Sequence, residues 1–100
     1  MKTVSSYRLH RRASAAFNEL ANDEQAQVRQ VLADLPSTAA GPWPGNAKRL
    51  LGDQPLFILR VNDSLRVIVL AVDGQPPEVM DIVRRETLES FAKAEARNGQ

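Results

Sequence analysis

Between Ala47 and Glu86 three apolar runs alternate with two short polar breaks. The runs are LFILRV from Leu56, LRVIVLAV from Leu65 and EVMDIV from Glu78. Their length and β-branched content predict strands rather than helices. The breaks, Asn62-Asp63-Ser64 and Asp73-Gly74-Gln75-Pro76-Pro77, are built from residues that favour tight turns. Short connections of this kind predict an antiparallel meander. The middle run is apolar at both odd and even positions after Arg66, which predicts a central strand buried on both faces.

Upstream of the meander the period changes. Thr3–His10 alternates loosely through Val4, Tyr7 and Leu9, as a short edge strand does. From Arg12 to Leu20 the apolar positions Ala13, Ala16, Phe17 and Leu20 follow helical spacing. A second helix follows, with Val28, Val31, Leu32 and Leu35 as its stripe. Asn22 is the expected N-cap, Gln25 completes a capping box, and Pro36 is the stop. The polar face of this helix carries Gln25, Arg29, Gln30 and Asp34. Two such stripes must cover something, and the sheet is the available surface.

Ser37–Asn46, with its Gly-Pro and Pro-Gly pairs, is a loop; Ala47–Leu51 reads as a further short strand. Trp43 in the loop has two readings, a hydrophobic plug or a stacking surface for a base. The plug is favoured, because a large apolar area usually finds cover. Thr87–Gln100 is predicted to be a helix through Leu88, Phe91 and Ala92, with a disordered end. The fold class is α+β: an N-terminal strand, a helical hairpin on an antiparallel three- to four-stranded sheet, and a C-terminal helix.

The 100 residues suit one domain spanning 1–100. A net charge of +1 is far from the balance of a protein that holds polyanions by bulk charge, so any such site is a local patch. The chain has no cysteine, which removes disulfides and thiolate chemistry. No secretory leader or membrane span is legible, so the expectation is a soluble cytoplasmic protein with no membrane partner.

The meander has a chemical consequence. A first turn centred on Asp63 pairs positions that sum to about 126, and a second centred between Gln75 and Pro76 pairs positions that sum to about 151. Arg60 then faces Arg66, and Arg66 faces Arg85. Like charges placed opposite one another are unfavourable unless an anion or carboxylate joins them. Phosphate is the natural partner of several forked donors. The bland alternative has the arginines capping the sheet and pairing with Glu19, Asp53 or Asp63.

Laid out this way, the chain resembles the RelE/ParE superfamily of toxins from type II toxin–antitoxin systems. The resemblance rests on the element order and on KRLLG before the sheet, LFILRVNDSLRVIVLAV as paired strands with an arginine opening the second, and IVRRE ahead of Phe91. It implies a RelE-like ribosome-dependent mRNA endoribonuclease that uses no metal or other cofactor. Its partners would be a cognate antitoxin, the ribosome and mRNA. The family's alternative is a ParE-like toxin that inhibits DNA gyrase, or a degenerate member acting by protein binding. Carried over by resemblance, Arg66 contacts the scissile phosphate and Arg85 serves the transition state. Arg60 lies near a lysine position of the family, and Phe91 stands where RelE has a functional tyrosine, so that hydroxyl is missing.

RNA cleavage through the 2′-hydroxyl needs a base, positive charge at the phosphate and an acid for the leaving oxygen. Arginine stays protonated and is a poor base. Glu86, Asp81, Lys48 and His10 are the candidates for proton transfer. Lys48, Arg49, Arg60 and Arg84 are the candidates for RNA contact, against the alternative of a solvated strand edge. Histidine is the residue type whose ordinary titration range lies near neutrality, but beside Arg11 and Arg12 His10 also reads as a solvated strand end. Asp81 interrupts an apolar strand and is equally readable as an ion-pair partner. The helical hairpin offers a surface for an antitoxin tail.

Overall fold

A computed structural model of the chain describes residues 7–38, 41–50 and 52–88. Expectations for Thr3–Ser6, Leu51, Phe91 and the end of the chain lie outside these residues. The elements are β1 (Arg8–Leu9), α1 (Arg11–Asn18), α2 (Asn22–Ala33), β2 (Ala47–Arg49), β3 (Leu56–Arg60), β4 (Leu65–Leu70) and β5 (Glu78–Arg84). Residues 85–88 are helical. No helix among the described residues is long and apolar enough to cross a membrane.

The meander forms as predicted, but the sheet is larger and mixed. Its order is β1-β5-β4-β3-β2, with β1 parallel to β5 and every other pair antiparallel. The N-terminal strand therefore occupies an edge, held through Arg8 N–H to Pro77 O (2.9 Å) and His10 N–H to Val79 O (2.8 Å). The short connections predicted an antiparallel sheet of three to four strands; the long excursion through the hairpin and meander returns the chain beside β1 in the same direction.

The hydrophobic core lies between the helical hairpin and one sheet face. Ala13, Val28, Leu32 and Leu35 meet Leu59, Leu65, Val67, Val69, Val79 and Ile82. Along β4 burial alternates: Leu65, Val67 and Val69 are buried, while Arg66, Ile68 and Leu70 are half-buried. The expectation of burial on both faces is thus corrected. β4 is central in the sheet, but the described residues leave its second face partly open.

Both helix starts differ from expectation in a local way. α1 opens on His10, whose Nδ1 accepts the Arg12 N–H at 3.1 Å. The imidazole stands in for the usual Ser or Asp cap, because a ring nitrogen acceptor satisfies one of the orphan amides. His10→Asn keeps a side-chain acceptor and should hold stability, whereas His10→Ala should cost about 1 kcal/mol, read as a lower urea midpoint. α2 is capped by Ala21, not Asn22. Glu24 supplies the reciprocal contact, its Oε1 accepting the Ala21 N–H at 3.2 Å. Gln25, expected in the capping box, instead donates from Nε2 to Phe17 O at 2.9 Å and ties the two helices together. Arg29 lies 5.1 Å above the Phe17 ring and covers the same seam.

Candidate functional site

The two turns decide where the arginines go. At the first, Asn62 Oδ1 accepts from Ser64 N–H (2.8 Å), Leu65 N–H (2.9 Å) and Ser64 Oγ (3.2 Å). This Asx arrangement organises the turn. Asn62 Nδ2 also donates to Gln27 Oε1 on α2 at 2.6 Å, fastening the turn to the hairpin. The register is the predicted one, with Arg60 directly opposite Arg66.

The second turn corrects the expectation. It centres on Gly74, which has φ +80°, with Gln75 N–H bonded to Val72 O at 3.1 Å. Glycine takes that left-handed conformation without a Cβ penalty, while Pro76 and Pro77 favour extended chain leading into β5. A bulge between Ile68 and Val69 shifts the pairing once more. Arg66 therefore faces Val83, and Arg84 faces Leu65. Arg85 comes one residue after the strand, its N–H bonded to Ser64 O at 2.8 Å.

Residues directly opposite in a ladder share a face. Lys48, Arg60 and Arg66 thus stand on the open face, with Lys48 opposite Ile58. Arg49, opposite Phe57, and Arg84, opposite Leu65, stand on the helix side. The predicted RNA-contact set is divided between two faces, and the three-arginine row is reduced to the Arg60–Arg66 pair with Arg85 beyond its end.

Their surroundings differ too. Arg60 forms an ion pair with Asp63 in the turn, one of the partners foreseen for a purely structural arginine. Both groups are largely exposed, so the pair itself adds little stability. Arg66 meets no carboxylate among the described residues. Its Nη1 donates to Asn62 O (2.5 Å) and Leu65 O (3.0 Å), while Nε and Nη2 have no protein partner there. The guanidinium is anchored on one edge, with donors left for an anion.

Arg84 is committed elsewhere. Nη1 reaches Glu24 Oε2 at 2.9 Å and Nη2 reaches Oε1 at 3.3 Å, a two-pronged pair between the end of β5 and the start of α2. Nη1 also lies 3.3 Å from Ser64 Oγ. The Arg84 hydrogen bond, followed by that of the Ala21 amide, holds the Glu24 carboxyl below its ordinary value. A lowered folded-state pKa favours the fold while the carboxylate is ionised. That contribution is present above the unfolded value and lost as pH falls through the folded one. Glu24→Gln keeps an acceptor for Ala21 but lacks the charge. Its urea midpoint should lie below wild type near neutrality, and the gap should close in acid.

A cavity of about 360 Å³ opens on the same face as Arg66. Leu56, Ile68, Met80 and Val83 contribute apolar lining, with Leu50 and Leu88 beside them. His10, Arg12 and Asp81 bring charge or titratable groups to it. Two of the proton-transfer candidates, His10 and Asp81, therefore share one cavity. Arg12 and Met80 escaped the sequence reading. Met80 is the extra residue at the β5 bulge, and nothing in an apolar run marks a bulge.

No protein-family model matches the chain, and no curated protein matches it by sequence. In structure it is similar to a chain of the archaeal RelE–RelB complex from Pyrococcus horikoshii OT3. The TM-score is 0.53 at 18% identity, covering 79% of this chain and 92% of that one. The likeness is one of fold: the architecture is RelE-like.

Proposed function

We propose that the protein is the toxin of a type II toxin–antitoxin system and acts as a RelE-like, ribosome-dependent mRNA endoribonuclease. The observation that carries this reading is Arg66. Its half-buried guanidinium is held by two turn carbonyls, keeps unpaired donors on the open sheet face, and sits in a RelE-like fold. A fork anchored on one side and open on the other suits a phosphate oxygen, because little conformational entropy is lost when the anion arrives. Arg85, just past the end of β5, is the second proposed catalytic group.

In this mechanism the 2′-hydroxyl attacks the adjacent phosphorus, and its proton passes to a base. Arg66 and Arg85 stabilise the charge that builds on the phosphate, and the 5′ oxygen leaves with a proton. His10 has Nδ1 engaged by the Arg12 amide, so in the neutral ring Nε2 carries the hydrogen and is a donor. With Nδ1 occupied and Nε2 a donor, the neutral ring offers a hydrogen bond to an RNA oxygen and is not placed as the base. Lys48, on the open face, is the proposed phosphate contact. Arg49 and Arg84, on the other side of the sheet, are proposed to reach RNA only beyond the sheet edge. No metal or other cofactor enters this scheme.

The partners proposed are a cognate antitoxin on the helical hairpin, and the ribosome with its message, in the cytoplasm. The chain is proposed to act as one domain. A ParE-like gyrase inhibitor is the second reading, favoured by the pairing of Arg60 with Asp63 and Arg84 with Glu24, which leaves less free positive charge. Toeprinting of programmed ribosomes with purified protein separates the two. A new stop at the A-site codon supports the nuclease; an intact message together with inhibited supercoiling by gyrase supports the alternative.

A further inference from the structure

The open-face cavity has a composition that the phosphate chemistry does not use. Asp81 is half-buried in its wall. Oδ1 accepts the Ile82 N–H at 2.8 Å, and no cation pairs with the carboxylate among the described residues. His10 and Arg12 line the same cavity without closing an ion pair on it. An ionised carboxylate is acceptor-only, and with Oδ1 on the Ile82 amide it keeps further lone pairs for donors that enter the cavity.

We infer that this cavity receives a guanine base. Three features support the choice. First, the cavity's volume of about 360 Å³ is near the small end for ligand sites and has room for one base. Second, Leu56, Ile68, Met80 and Val83 give a flat ring apolar side chains to lie against. Third, a carboxylate matches adjacent N–H donors on a base edge. Guanine presents N1–H beside its N2 amino group, whereas uracil offers a lone N–H, and adenine and cytosine each offer a single amino group. Arg12 and His10 suit the negative sugar–phosphate of the same nucleotide.

The register connects this site to the phosphate cradle. Ile68 faces Asp81, and Val83 faces Arg66, so cavity and guanidinium are neighbours on one sheet face. The inference rests on the RNA-cleavage reading for its biological meaning and gives that reading a base preference. Its physical content, guanine recognition by Asp81, stands without catalysis.

The test is an NMR titration of the full-length, ¹⁵N-labelled protein with GMP, AMP, CMP, UMP and inorganic phosphate, in wild type and Asp81→Asn. Asparagine retains an oxygen for the Ile82 amide, so the substitution leaves the strand intact. GMP is expected to shift the amides of Ile68, Asp81 and Ile82 saturably and to bind about tenfold tighter than the other nucleotides. Asp81→Asn should erase that preference. Equal affinity for all four nucleotides, shifts reproduced by inorganic phosphate alone, or an unchanged preference in Asp81→Asn overturns the inference. So does a partner peptide that moves these resonances when nucleotides do not. GMP selectivity without message cleavage leaves the inference standing and removes the nuclease. Cleavage with no guanine selectivity does the reverse.

Discussion

Arg66→Ala is expected to lower message cleavage on programmed ribosomes by about 10²–10³-fold, the loss seen when one preorganised donor to a developing charge is removed. The size follows from how the side chain is held. Two carbonyls of its own turn fix one edge of the guanidinium, and the turn is fixed by Asn62 and, through Gln27, by α2. Little reorganisation remains when charge appears on the phosphate. Arg66→Lys keeps the charge but supplies no fork, so it should recover only part of the rate. Neither change should unfold the protein, because Leu65 O keeps the Val61 N–H as a donor at 3.0 Å and the loss is confined to the side-chain bonds; about 1 kcal/mol is the expected cost. Single-turnover cleavage and urea unfolding, measured on the same samples, make the comparison. Cleavage within threefold of wild type in Arg66→Ala removes this residue from the chemistry.

How legible this was depended on the range of the contact. Strands β3, β4 and β5 and both helices could be read because their apolar periods are strong and local. The Arg60–Arg66 pairing was legible for the same reason: Asn62-Asp63-Ser64 admits a narrow set of turn geometries, and the register follows from its centre. The pairing across β4 and β5 was not. Its loop contains both a glycine turn and two prolines, and centring on the prolines moved every partner by about two positions. Asp73-Gly74 is the stronger turn signal and was in view. The bulge at Met80 carries no sequence mark; it exists only in the pairing of β5 with β4.

The division of the cations has a similar origin. Lys48 and Arg49 are adjacent, and so are Arg84 and Arg85. In extended chain, neighbours point to opposite faces. Lys48 and Arg49, both inside β2, are therefore divided between the two surfaces, while Arg85 leaves the strand altogether and opens the helical residues 85–88. One member of a pair is expected to serve the fold, and for the second pair this is Arg84, which joins β5 to α2 through Glu24. His10 shows the converse. It looked like a solvated strand end, and it caps α1 while lining the cavity. A single ring nitrogen can hold a helix start, and only the three-dimensional path of β1 beside β5 brings that helix start to the open face.

Trp43→Ala is expected to destabilise the protein by about 3 kcal/mol, the lower end of the range for removing a large aromatic group because the ring is only half-buried. The indole stacks on Phe57 with centroids 3.9 Å apart and planes within 8°. Phe57 lies opposite Val69, on the helix side of the sheet, so the loop is pinned over one end of the core. Gly41 is part of the same fit. Its φ is +91°, and a Cβ there would come within 2.8 Å of Trp43 N and 2.9 Å of its Cδ1. The loop closes onto the indole at a distance that a side chain would forbid. One ring face is thus spent on Phe57, which favours the plug over a platform for a base. For a domain whose whole stability is about 5–15 kcal/mol, losing 3 is a large share. Trp43→Phe keeps an aromatic pair and should cost about 1 kcal/mol. RNA affinity per folded molecule should be unchanged in both variants. Urea unfolding combined with RNA binding, each corrected for the folded fraction, decides the matter. A Trp43→Ala protein as stable as wild type but weakened toward RNA would make the indole a binding surface after all.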